Sequence, residues 1–187
     1  VIWDRDFYDR SGGGLTVSGG EPMRRFEGLK ELLYQAKTLG LHVCLDTCGQ
    51  APAQKYLAIR PFVDVFLFDY KVTDPALHKK MTSVDNRLIL SNLRMLAETG
   101  SDLFLRCPII PGNNDCEDHY RAIARLSEQY DRIRQVNLMF YHDMAKGKSR
   151  QIGQEYALAE LKTMEETARE KIRKMLHALG CTKLREG

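Results

Sequence analysis

Apolar positions along this chain switch repeatedly between two periods. Leu15 to Ser18 is a short, β-prone stretch bracketed by glycine. Phe26, Leu29, Leu32, Leu33, Ala36 and Leu39 then recur at helical spacing, with Gly40 where a helix C-cap belongs. Leu41 to Asp46 (LHVCLD) returns to a strand pattern, and a short helix is expected around Ala53 to Ile59. Val63 to Phe68 (VDVFLF) is nearly continuous in apolar residues, as in a parallel strand covered on both faces. Asp74 and Pro75 predict the N-cap and first turn of a helix through Met81. A second helix over Arg87 to Thr99 would turn Leu88, Leu93 and Leu96 inward. Leu103 to Ile110 (LFLRCPII) reads as the next strand, Asp115 as the cap of a helix running to about Gln129, and Val136 to Tyr141 (VNLMFY) as the fifth and last strand. Leu158, Leu161, Ala168, Ile172, Met175 and Leu179 mark one face of a long C-terminal helix ending at Gly180.

Strand and helix alternate throughout, which predicts an α/β fold with a parallel sheet and right-handed crossovers, either doubly wound or curled into a barrel. No linker or composition break divides residues 1–187, so a single domain is expected. The near-balanced charge, +3 from 28 basic and 25 acidic residues, gives no compositional argument for nucleic-acid binding or a polybasic membrane anchor, and neither partner is expected. No apolar run reaches the roughly 20 residues of a membrane span, and the opening VIWDRDFYDR is too charged for a signal peptide. Five cysteines without framework spacing suggest free thiols in a reducing, cytoplasmic setting. Because Val1 is not an initiator methionine, a piece of a longer protein is expected.

Parallel α/β folds bind ligands at the carboxyl ends of their strands. Those ends here carry Gly19, Gly20 and Glu21; Asp46 and Thr47; Asp69 and Lys71; Arg106; and His142. Each alone is more often a turn or cap than a site. Together they set carboxylates, cations and an imidazole on a glycine-lined rim, which suits a zwitterionic ligand. Gly19 and Gly20 let a ligand approach the backbone, and Glu21 places a carboxylate beside it, which suits an ammonium group better than a phosphate. The spacing of Cys44 and Cys48 would continue to a third thiol at position 51, which is Ala51, so a complete iron–sulfur ligand set is not expected within the chain. His42, His78, His119 and His177 lack metal-ligand spacing and read as surface or satisfied positions.

SGGGLTVSGGEP (11–22), LDTCG (45–49), DYK (69–71), RCPIIPGNND (106–115) and FYHDMAKGK (140–148) resemble, in order, segments of the glycyl-radical-enzyme activating enzymes of the radical S-adenosylmethionine superfamily, such as pyruvate formate-lyase activating enzyme. The resemblance covers roughly residues 4–156. It implies a partial (β/α)6 TIM-like barrel, truncated here to about five β/α units. It implies that Gly19, Gly20 and Glu21 receive the ammonium of S-adenosylmethionine, and that Lys71, Arg106 and His142 share its carboxylate, ribose or adenine. By the same resemblance, Asp46, Thr47 and Asp69 look like a set that can hold a monovalent cation, for which hard oxygen donors are suited. In the family a reduced 4Fe-4S cluster cleaves the cofactor, and the resulting radical takes a hydrogen from a glycine of a partner glycyl radical enzyme, with a flavodoxin- or ferredoxin-like protein as electron donor.

Two departures qualify the match. The family's C-x3-C-x2-C loop precedes its Gly-Gly-Glu segment and has no counterpart here, so the 4Fe-4S ligands are expected only in the full-length protein and this chain alone is expected to be inactive. Phe140 stands where proline is common before Tyr-His, which affects the expected shape of that loop. A cluster-less binding or scaffold module is the main alternative function, and a metal site built from Asp46, Asp69 and His142 is a third. If the first barrel strand is missing, the strand at Leu15 to Ser18 has a free edge, which invites self-association.

Overall fold

Short helical crossovers return the chain to the same end of each strand, so successive strands lie side by side and point the same way. The protein is described by a computed structural model covering residues 8, 10, 13–142 and 161–185. In it β1 (Gly14–Val17), β2 (His42–Thr47), β3 (Val65–Asp69), β4 (Asp102–Ile109), β5 (Ile133–Phe140) and β6 (Leu184–Arg185) form one sheet in that order. Every neighbouring pair is parallel. The described helices are α1 (Phe26–Thr38), α2 (Ala53–Ile59), α3 (Pro75–Thr82), α4 (Arg87–Glu98), α5 (Glu117–Gln129) and α6 (Glu166–Ala178), and a 3₁₀ turn, Pro22–Arg25, leads into α1. Among the described residues the sheet is open, with β1 and β6 as its edges and no strand on the outer side of β1.

The two faces of the sheet differ. Val43, Leu45, Phe66, Phe68, Leu103, Leu105, Cys107, Ile109 and Val136 are fully buried. They pack in one core with Leu33, Tyr56, Ile59, Leu93, Leu96, Ile123 and Leu176 from the helices. Each such apolar side chain removed from water is worth about 1.5–3 kcal/mol. The alternate residues, among them Asp46, Leu67, Asp69, Phe104, Arg106, Asn137 and Met139, are only half-buried. The helices therefore cover one face, and the double-sided burial expected for β3 is not found. Register lines up the open face: Asp46 pairs with Leu67, Leu67 with Phe104 and Phe104 with Gln135, and the next row runs Asp69, Arg106, Asn137.

Several expectations are corrected. Leu32 and Leu88 are 41% and 38% exposed, so the buried stripes run through Leu29, Leu33 and Ala36 in α1 and through Ile89, Leu93 and Leu96 in α4. Cys116, not Asp115, occupies the N-cap of α5, and Asp115 instead accepts a hydrogen bond from the Tyr120 hydroxyl. The C-terminal helix begins at Glu166; Leu161 lies outside it, Leu158 lies outside the described residues, and the buried pair is Ile172 and Leu176, one turn apart. A sixth, two-residue strand, β6, follows, paired with Val136 and Asn137. It is held by Lys183, whose Nζ donates to the carbonyls of Ser127 and, at 3.2 Å, Tyr130.

Gly49 shows how tightly the loop after β2 is packed. Its φ is +78°, and a Cβ placed there would lie 2.4 Å from Cζ of the buried Phe68. Left-handed strain and overpacking together should make Gly49→Ala destabilising by about 2–4 kcal/mol, read as the shift in the urea midpoint. A loss under about 0.5 kcal/mol, the size of an ordinary surface change, would show that the contact with Phe68 is loose.

Candidate functional site

At the end of β1 the backbone turns through Gly19 and Gly20 at φ +87° and +33°, and a Cβ on either would meet nothing within 4 Å. Glycine is required there by backbone angle, and the space over the turn is open. Glu21 follows as the N-cap of the 3₁₀ turn, accepting from the Met23 N–H at 3.1 Å. The same Oε1 accepts from the Thr47 hydroxyl at 2.9 Å, and Oε2 accepts from the Cys48 N–H at 2.8 Å. Because the Thr47 hydrogen is spent on Glu21, Thr47 Oγ1 accepts from the buried Tyr56 hydroxyl at 2.8 Å and from the Gly49 N–H at 3.2 Å. One carboxylate thus joins the ends of β1 and β2. It borders two cavities, of about 490 and 710 Å³, which also share Arg24.

On the open face Arg106 reaches across two strands. Its Nη1 donates to Asp46 Oδ2, which also accepts from the Ser18 hydroxyl at 2.7 Å. Its Nε and Nη2 point at Met139 Sδ, at 3.3 and 3.2 Å. Lys71 Nζ pairs with Asp69 Oδ2 at 3.0 Å. Asp69 Oδ1 is buried and accepts no hydrogen bond; Arg106 Nε lies 3.9 Å away, within ion-pair but not hydrogen-bond range. Burial raises the Asp69 carboxyl above its usual range, against the pull of Lys71 and Arg106. The Cys48 thiol is pushed up to about 11 by burial and by its contact with Glu21.

Of the expected site residues, Gly19, Gly20, Glu21 and Thr47 form one cluster, and Asp46, Asp69, Lys71 and Arg106 form another. His142 is exposed just past β5 and makes no hydrogen bond or ion pair with either. Of the residues expected to hold a cation, the Thr47 hydroxyl is engaged by Glu21, Tyr56 and Gly49, and Arg106 lies against both Asp46 and Asp69. Among the described residues no three His, Cys, Asp or Glu side chains are grouped to hold a metal, the trio Asp46, Asp69 and His142 included. All five cysteines are free thiols. Phe140 closes β5 with the guanidinium groups of Arg169 and Arg173 over its ring, 5.7 and 5.2 Å from the centroid.

Sequence reasoning missed the residues that hold the rim in place. Asn114 accepts from the Ile110 N–H at 2.7 Å and donates to the carbonyls of Lys71 and Pro108, both at 2.6 Å. Asn86 donates to the carbonyls of Val72 and Thr73, and Asn92 to those of Gly49 and Ala51. The available signal was an asparagine on the apolar stripe of α4. His119, expected to be exposed or satisfied, is buried. Its Nδ1 lies 2.7 Å from Thr73 Oγ1, its ring stacks on Tyr70 at 5.4 Å, and its Nε2 has no hydrogen-bond partner.

The profile of the Radical SAM superfamily matches residues 5–123. The chain belongs to that superfamily. It is 39% identical over 158 residues to the choline trimethylamine-lyase activating enzyme of Oleidesulfovibrio alaskensis, covering 83% of this chain and 51% of the relative. It is 35% identical over 178 residues to the trans-4-hydroxy-L-proline dehydratase activating enzyme of Clostridioides difficile, covering 94% and 59%. The chain thus spans little more than half the length of these curated relatives. A crystal structure of a domain of pyruvate-formate lyase-activating enzyme from Bacteroides vulgatus superposes with a TM-score of 0.77 at 27% identity, covering 94% of this chain and 99% of that one. The open six-stranded sheet is accordingly a partial radical-SAM barrel, and membership implies S-adenosylmethionine and a 4Fe-4S cluster as the cofactors of the superfamily. Among the described residues no helix is long and apolar enough to cross a membrane.

Burial lowers the His119 pKa from 6.5 to about 4. The folded state therefore holds this imidazole neutral while the unfolded chain protonates, and the stability is complete above pH 6.5 and lost as pH falls toward 4. The difference amounts to roughly 3 kcal/mol. Replacing His119 with Gln should flatten the fall in melting temperature over that window, and an unchanged acid limb would locate the loss elsewhere.

Proposed function

We propose that this chain is the S-adenosylmethionine-binding part of a glycyl-radical-enzyme activating enzyme. The observation that carries the reading is the Glu21 carboxylate, oriented by three donors from two β/α units beside a glycine turn with open space above it. An acceptor oriented in this way suits an ammonium group, and the backbone of Gly19 and Gly20 is accessible to the same ligand. Lys71, Arg106 and His142 offer ammonium, guanidinium and imidazole groups for the carboxylate, ribose or adenine of the cofactor. The cofactor fits the residues present. The cluster does not, because no thiol trio is assembled among the described residues.

In the whole enzyme the 4Fe-4S cluster supplies the electron for radical chemistry. What this chain contributes is orientation: Glu21 and the glycine turn hold one end of the cofactor, and the half-covered sheet face leaves room for the partner protein. The partner is a glycyl radical enzyme, which fits relatives named for activating lyases and dehydratases. A flavodoxin- or ferredoxin-like protein as electron donor and a cytoplasmic location complete the reading.

Calorimetric titration of the chain with S-adenosylmethionine tests the cofactor assignment. Glu21→Gln should weaken binding about 10–100-fold, the weight of a charge-assisted hydrogen bond, and absence of binding by the unaltered chain at millimolar cofactor would refute the reading. Reconstitution with iron and sulfide should leave the chain without cluster absorbance and without 5'-deoxyadenosine formation; either signal would place the cluster ligands inside it. In the complete enzyme, a glycine-centred radical detected on the partner by electron paramagnetic resonance separates an activase from a binding module.

A further inference from the structure

We infer that Asn92 is a positioning residue for the glycine–glutamate site, an inference that rests on the reading of Glu21 as the acceptor for the cofactor's ammonium. Asn92 lies in α4 on the strip that otherwise presents Ile89, Leu93, Leu96 and Ala97 to the core, and it is fully buried. Its Nδ2 serves neither its own helix nor the strand beside it. It donates to Gly49 O at 2.8 Å and Ala51 O at 2.7 Å, carbonyls 43 and 41 positions back in the chain. Its Oδ1 is buried without a hydrogen bond. Leucine would fill this place in the helix face with no orphan acceptor, so the gain from the amide lies in the loop it holds.

That loop is the one that orients Glu21. The Cys48 N–H donates to Glu21 Oε2, and the Gly49 N–H donates to Thr47 Oγ1, whose hydrogen goes to Glu21 Oε1. Two of the three hydrogen bonds on the carboxylate therefore come from a segment whose far side is fastened by Asn92. The other restraints on that segment are the Gly49 N–H bond to Thr47, the Thr47 bond to Tyr56 and the packing of Gly49 against Phe68 and Ile89, none of which engages the carbonyls of Gly49 and Ala51. Without the amide, those two carbonyls lose their donor and the peptide that carries the Cys48 N–H is held less firmly toward Glu21. Asn86 fastens the carbonyls of Val72 and Thr73 in the same way, but that loop supplies no donor to Glu21, whereas the loop held by Asn92 adjoins the Thr47 and Cys48 donors.

The test compares Asn92→Leu, of similar size and without donors, with Leu96→Ala, a core deletion in the same helix. Each is titrated calorimetrically with S-adenosylmethionine, and amide hydrogen exchange is followed over residues 47–51. Asn92→Leu should weaken binding at least about tenfold and speed exchange of the Cys48 amide, whereas Leu96→Ala should lower the melting temperature and leave affinity within about twofold. Affinity unchanged in Asn92→Leu, or lost by both variants in step with their melting temperatures, would reduce Asn92 to a stability residue and overturn the inference. Should Asn92→Leu not fold, Asn92→Ser, which cannot span both carbonyls, is read by the same two criteria. If the unaltered chain binds no cofactor, it is the assignment of Glu21 that fails, and the exchange measurement still decides whether Asn92 holds the loop.

Discussion

A parallel sheet covered by helices on one side leaves every second side chain without a helical partner. That asymmetry governs the rest of this molecule. On the covered side the strands supply phenylalanine, leucine and valine with no exposure, and the helices answer with their apolar strips. On the other side the same strands carry Asp46, Asp69, Arg106 and Asn137 among Leu67, Phe104 and Met139, a mixed surface that neither water nor a core alone would select. Charged groups persist there because they satisfy one another across strands, Arg106 above all.

The rim depends on a second kind of connection. Two of the loops that follow strands are fastened by side chains from other β/α units: Glu21 and Asn92 gather the loop after β2, and Asn114 holds the loop after β3. Backbone carbonyls and amides that would otherwise be left half-buried are paired in this way. The strands set the distances between functional groups to within a residue, and the cross-unit hydrogen bonds fix their direction.

Much of this was legible in the amino-acid order, because strand ends announce themselves through local pattern. The alternation of periods located five of the six strands, and Gly-Gly-Glu, Asp-Thr and Asp-Tyr-Lys fell at strand ends as expected. Pairings between distant residues were not legible. Asn92 looks like one polar interruption in a helix, and only its contact with residues some forty positions back gives it a role. Leu32 and Leu88 satisfy a helical period yet face solvent, since a stripe read from spacing is wider than the surface the sheet can cover. Strand β6 has two residues and no period at all; its place depends on Lys183 capping carbonyls of Ser127 and Tyr130. Which of the two readings of His119 holds, surface or satisfied, was not legible either, because its stack on Tyr70 is a tertiary contact.

Arg106 already has its counter-ions. A ligand carboxylate that engages this guanidinium takes over a position now held by Asp46 or Asp69, so the event is an exchange of one anion for another and not the creation of an ion pair. The free energy available is the difference between two similar contacts, each with its own desolvation. Because the number of paired charges is conserved, ionic strength acts on both sides of the equilibrium nearly alike. If Arg106 takes a ligand carboxylate as proposed, selectivity at this position comes from shape and hydrogen-bond direction, and the open face resembles an ion exchanger more than an electrostatic trap.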